Sequence, residues 1–242
     1  MTIRQKYSDA VGRVAPVALG LLVTFVGVAP WVVMARLNAR IHPDIPWAAL
    51  ATLVWLILYL CWLNGAGPPT RWKAARRYRL RLWRPGSNGW SKDGIAVTLS
   101  LMAMIGLLTF IWILVGAPAR PPDLSEFPST AYLLSVFLIT PLAAGVTEEA
   151  GFRGYMQRGL ERYGSGTAIL ISAFAFALIH GVHGLETLLV LGPGIFIAGI
   201  VYGMLAYHSG SILPGMIAHF LGDLAFSYFG LLGGDWRLLI VP

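Results

Sequence analysis

Charge is scarce in this chain. Only 12% of its 242 residues are Asp, Glu, Lys or Arg, where a water-soluble domain carries about a quarter. With 57% of residues hydrophobic, an ordinary solvated surface is excluded. Cysteine is nearly absent: Cys61 stands alone, which rules out an internal disulfide and a Cys-rich metal site. Cys61 itself reads as a small packed hydrophobe. There is no G-x-x-x-x-G-K phosphate loop, no H-E-x-x-H zinc helix, no internal repeat and no low-complexity tract.

What the chain does have is long apolar runs. A membrane-crossing helix needs about 20 such residues, and seven runs qualify: Ala15–Ala35, Trp47–Leu63, Ile95–Gly116, Ala131–Val146, Thr167–His183, Leu185–Ala206 and Ile212–Leu232. The fold class they predict is all-α, a polytopic transmembrane bundle of about seven to eight helices. The first run is too long for a secretory signal and lacks a small-residue cleavage site after it, so it reads as a retained helix. Gly192-Pro193-Gly194 predicts a break in the sixth run, with Leu185–Leu191 as a re-entrant or separately tilted piece. Gly199 and Gly203 form a GxxxG that predicts close helix packing inside the bundle.

The net charge of +7 is not read as a nucleic-acid footprint, because it is localised. Eight of the 18 Lys and Arg lie in the loop 64–94, interleaved with Tyr78 and Trp83. Such a segment predicts an interfacial helix on an anionic lipid surface. With the N-terminus inside, fourteen cations fall on the inner side and four on the outer. That bias predicts a multi-pass protein of the cell inner (plasma) membrane with a cytoplasmic N-terminus. The chain divides near residue 130: residues 1–130 hold N-terminal helices and the basic loop, and residues 131–242 a helical core that carries every motif.

Ionisable groups inside spans are costly and mark functional paths. Three groups occur, all in the C-terminal half. Glu148 and Glu149 close the fourth run, with Arg153 one helical turn beyond Glu149 and able to pair with it. Glu148 is turned about 100° away, which leaves its carboxylate open to act as a base; an ordinary interfacial ion pair is the plainer reading. His180 lies in the fifth run, with His183 three residues on. His219 and Asp223, four apart in the seventh run, share a face within hydrogen-bonding or metal-ligating reach. His208 reads as solvated, and Glu186 as a helix N-terminal carboxylate.

E-E-x-x-x-R, F-x-x-x-H and H-x-x-x-D on successive apolar helices, from about Val136 to Phe229, resemble the CAAX-protease and bacteriocin-processing family (CPBP, Abi). The resemblance implies an intramembrane endopeptidase that cuts a membrane-anchored protein or peptide: a prenylated tail, a leader peptide or a C-terminal sorting signal. It implies that Glu148 and His180 activate water, that Glu149 and Arg153 support them, and that His219 and residue 223 stabilise the oxyanion. Some members carry Asn at that last position, where this chain has Asp223. An ionised carboxylate only accepts hydrogen bonds, so Asp223 is either protonated there or orients His219. No cofactor is required on this reading. Zinc held by Glu148, His180, His219 and Asp223 is the alternative. Two other functions compete: a non-catalytic scaffold or immunity protein of the same fold, and a proton-coupled transporter built on the same buried groups.

Overall fold

The computed structural model describes residues 3–82, 99 and 127–231, and every regular element among them is helical. Helix α1 spans Ile3–Ile41 and α2 spans Trp47–Leu63. The short α3, Lys73–Leu80, follows a single 3-10 turn. Helix α4 covers Thr130–Glu148 and runs on through a π-helical stretch, Glu149–Gln157, to Leu160. Helices α5 (Ser165–Ile179), α6 (Leu185–Ser209) and α7 (Leu213–Leu231) complete the described bundle. Four helical stretches are long and apolar enough to cross a membrane: Val14–Ile41, Thr130–Tyr163, Ser165–His183 and Leu188–Ser209. The protein is membrane-embedded and all-α.

Hydropathy placed α2 on its observed residues, but three expectations change. The fourth run does not stop at Val146. Its helix continues past Glu148, so the two glutamates lie within a long helix and not at the end of one. The break expected at Gly192-Pro193-Gly194 is absent, because α6 is continuous across Pro193. Pro removes one backbone donor, and neighbouring helices make that loss tolerable in a membrane bundle. The third run, Ile95–Gly116, lies outside the described residues except for residue 99.

Helix α1 is held to its neighbours by side chains that bond to main-chain carbonyls. Trp55 Nε1 donates to Gly27 O at 2.8 Å and Tyr59 Oη to Val23 O at 2.9 Å, which fastens α2 to α1. Trp31 Nε1 reaches Thr140 Oγ1 on α4 at 3.2 Å. The α1–α2 corner is stitched by buried Asn38, whose Nδ2 donates to His42 O (2.7 Å) and Ile45 O (3.0 Å) while Oδ1 accepts from Ala48 N (2.9 Å). Asn38→Leu strands Ala48 N and takes one of two donors from each of the carbonyls of His42 and Ile45. It should cost about 1–3 kcal/mol, read as a lowered unfolding temperature in detergent.

The basic segment is only partly the solvated face its charge suggests. Arg71, Lys73 and Arg77 are exposed, but Arg76 and Arg81 are buried. Arg76 donates to the carbonyls of Ala66, Gly67 and Pro68 and lies 4.7 Å over the Trp62 ring. Arg81, in the left-handed backbone region at φ 41°, pairs with Glu161 at 2.7 Å and donates to Arg153 O at 3.1 Å. Burial pulls its guanidinium below the ordinary value, and the Glu161 carboxylate opposes that shift. The adjoining backbone docks on the α6–α7 turn: Ile212 N donates to Arg81 O, and Ser211 Oγ to Leu82 O. Two cations of the cluster therefore bolt the segment to the bundle.

Candidate active site

All nine residues of Glu149–Gln157 are buried. A π-helical register is rare and recurs at functional sites. Here two of its carbonyls are taken by side chains from other elements: Phe152 O by Ser172 Oγ at 2.9 Å, and Arg153 O by Arg81. Backbone acceptors turned outward in this way are satisfied without a regular α ladder. Arg153, wholly buried, pairs with Glu149 Oε1 at 3.0 Å, and its Nη2 donates to Gly199 O at 3.0 Å. Its guanidinium lies over the rings of Phe176 (4.4 Å) and Tyr202 (5.2 Å).

Across the bundle, α7 presents His219. Its Nδ1 lies 3.1 Å from the same Glu149 oxygen, and a carboxylate facing Nδ1 makes that nitrogen the donor. Its Nε2 points the other way, 3.7 Å from Glu148 Oε2 and 3.4 Å from Asp223 Oδ2. The ring is stacked on Tyr202 at 4.9 Å, with 13° between the planes, and meets the Phe176 edge at 5.6 Å. Orientation and protonation geometry of this imidazole are thus fixed from four sides.

Two glycines permit the approach. A Cβ on Gly145 would lie 3.0 Å from both Met216 O and Phe220 N, and one on Gly215 would lie 2.8 Å from Glu149 Oε2. At Gly145, α4 and α7 touch backbone to backbone beside His219. Gly145→Val should push α7 away, with a loss of about 1–3 kcal/mol from overpacking. Thermal unfolding beside the wild type measures it.

The two glutamates differ as their angular offset predicts. Glu149 is fully buried between Arg153 and His219. Glu148 is partly exposed, and its Oε2 has no hydrogen-bond partner among the described residues. Asp223 is the most open member, with 42% of its side chain exposed, so the group faces outward through Asp223 and Glu148. His180 stands somewhat apart. It caps α5 at the start of a 3-10 turn, where its Nδ1 donates to Phe176 O at 2.8 Å. A carbonyl can only accept, so Nε2 is the nitrogen left for water or substrate. No hydrogen bond or ion pair joins His180 to Glu148 among the described residues. The link to His219 runs through the Phe176 ring, which His180 meets at 5.0 Å. His183 is exposed with its ring 6.4 Å from that of His180, and Glu186 and His208 are exposed as expected.

Among the described residues, no group of three or more His, Cys, Asp or Glu side chains is arranged to hold a metal ion. Of the set Glu148, His180, His219 and Asp223, the two carboxylates approach His219 Nε2 while His180 stands apart, and no step is routed through zinc. The sequence reading missed Tyr202 and did not see Phe176 as more than a motif letter. Aromatics in apolar helices look like packing, and only the GxxxG beside Tyr202 hinted that something must come close there. Gly199 and Gly203 do pack inside the bundle, against Ala173 and Ile169 of α5.

A search of curated proteins and one of solved structures each found no match. The family model described as type II CAAX prenyl endopeptidase Rce1-like matches residues 130–225. That stretch opens with α4, contains Glu148, Glu149, Arg153, His180 and His219, and closes just past Asp223. Over residues 130–225 the chain is similar to the Rce1-like CAAX proteases of the CPBP family.

Proposed function

We propose that this protein is an intramembrane endopeptidase in which Glu148 activates water against a peptide bond of a membrane-anchored protein or peptide. One observation carries the reading: an unpartnered Glu148 carboxylate oxygen faces His219, whose opposite nitrogen is anchored on a buried Glu149–Arg153 pair. Glu148 takes a proton from water as the oxygen attacks the scissile carbonyl, then delivers it to the amide nitrogen as the C–N bond breaks. His219 Nε2 presents a proton to the oxyanion while Nδ1 donates to Glu149. A donor held in advance where charge develops is worth more than a mobile one. Arg153 holds Glu149 in place. His180, with Nε2 directed away from its carbonyl partner, serves on the water or substrate side. Asp223 orients His219 and is the residue nearest to bulk solvent.

Asp223→Asn should then hold kcat/KM to within about tenfold, because an amide can still accept from Nε2 and can also donate. A loss comparable with removal of Glu148 would overturn the orienting role. The substrate class is a lipidated or membrane-anchored segment, and the orientation is N-terminus cytoplasmic in an inner membrane whose anionic surface meets the exposed cations of the basic segment. The test is cleavage of a pool of prenylated, leader and membrane-anchored peptides by purified protein in lipid vesicles, with and without a strong chelator. Cleavage that persists in chelator supports the glutamate mechanism. Cleavage lost to chelator and restored by zinc replaces it with a metal one, and no cleavage across the pool favours a non-catalytic role.

A further inference from the structure

Away from the site, a groove of about 750 Å³ opens between α1, α2 and α3, well within the range of specific small-molecule sites. One wall is the Leu19–Val26 face of α1 and the other the Trp55–Leu63 face of α2. Each wall is about 10–12 Å long at 1.5 Å per residue, most of the depth of one leaflet, whose share of the hydrocarbon core is about 15 Å. The walls are apolar, and the cations belong to α3 alone: Arg76 and Arg79 both line the groove. The groove thus has the polarity of an amphiphile, with a long apolar cleft and positive charge contributed from a single element.

The charge is also available. Among the described residues no carboxylate pairs with Arg76 or Arg79. Arg76 spends its terminal nitrogens on three carbonyls, yet its buried Nε has no hydrogen-bond partner. Tyr155 of the π-helical stretch also lines the groove, and its buried hydroxyl is likewise unpartnered among the described residues. Two buried polar groups left without partners beside an apolar cleft are costly unless a ligand completes them. Basic pockets between membrane helices suit phospholipid headgroups.

We propose that this groove binds one anionic phospholipid, with an acyl chain along α1 and α2 and its phosphate on Arg79 and Arg76. The site is separate from the Glu148–His219 group and stands or falls without any cleavage assay. Protein reconstituted in equal parts phosphatidylglycerol and phosphatidylcholine, then extracted mildly, can be weighed by native mass spectrometry with its retained lipid. Wild type should keep one phospholipid, enriched for phosphatidylglycerol by about fivefold for each engaged cation. Arg79→Ala should lower that enrichment about fivefold, and Val26→Trp, which fills the cleft, should remove retained lipid of both kinds. Arg77→Ala changes the same charge on the exposed side of α3 and should leave retention as in wild type. Circular dichroism establishes that each variant keeps its helices. Equal retention of the two lipids overturns the proposal, as does a loss in Arg77→Ala equal to that in Arg79→Ala. Wild type that retains no lipid overturns it as well, and assigns the cleft to another part of this chain or to a second copy.

Discussion

Glu148→Gln is expected to lower kcat/KM by about 10²–10⁴ on any substrate the protein cleaves, while its unfolding temperature stays at the wild-type value. The amide has the shape of the carboxylate but cannot take a proton from water at neutral pH. Stability should be indifferent because Glu148 lies outside the buried network. Its one close approach is the 3.7 Å to His219 Nε2, and its Oε2 bonds to nothing among the described residues. The separation of the two readouts is the diagnostic. Activity retained in Glu148→Gln would remove the base from the mechanism. Activity and unfolding temperature lost together would make Glu148 a structural residue.

Arg153→Met is expected to do the reverse and strike stability first, by about 3–5 kcal/mol, the usual cost of stripping one partner from a buried ion pair. The thioether fills much of the volume under Phe176 and Tyr202. It leaves the Glu149 carboxylate, at 0% exposure, with His219 as its one remaining close partner, and Gly199 O without its donor. The double variant Glu149→Leu with Arg153→Met separates charge from packing. Replacing a whole buried pair by apolar side chains is often neutral or stabilising, so much of the lost stability should return. Activity should not, since His219 Nδ1 then has nothing to hold it. Equilibrium unfolding in denaturant, single variant beside double, reads the difference. A single variant as stable as wild type would mean that the pair is solvated and that the burial argument fails.

Much of this was legible in the residues because two local rules held. Apolar runs within the described residues became helices, and the spacing of Glu149 and Arg153 became an ion pair. His219 and Asp223, also four apart, face one another. What was hidden belongs to contacts between distant parts of the chain. Glu149 meets His219 across 70 positions, and nothing in either local pattern names the other. The π-helical register leaves no mark in hydropathy, which reports which residues are apolar and not which carbonyl each N–H selects. Arg76 and Arg81 look like surface charge because their partners are mostly backbone carbonyls, which a sequence does not display. Pro193 looks like a stop because its cost in an isolated helix is real, but packed neighbours decide whether that cost ends the helix.

The π-helical stretch carries a consequence for how the molecule is put together. Its Gly151 lies against Gly20 and Thr24 of α1, and its Gly154 against the backbone of Arg79 and Leu80. The carboxylates and the imidazole come from the portion translated last, yet the scaffolding behind them was translated first. On the ribosome, α1 and the basic segment are made with their glycine-matched surfaces still unmet. Both must wait, α1 in the bilayer and the basic segment at its surface, until residues 149–157 emerge. On the proposed mechanism, activity is therefore acquired late in synthesis: a nascent fragment that stops short of α7 carries His180 but lacks His219, and so has no donor for the oxyanion.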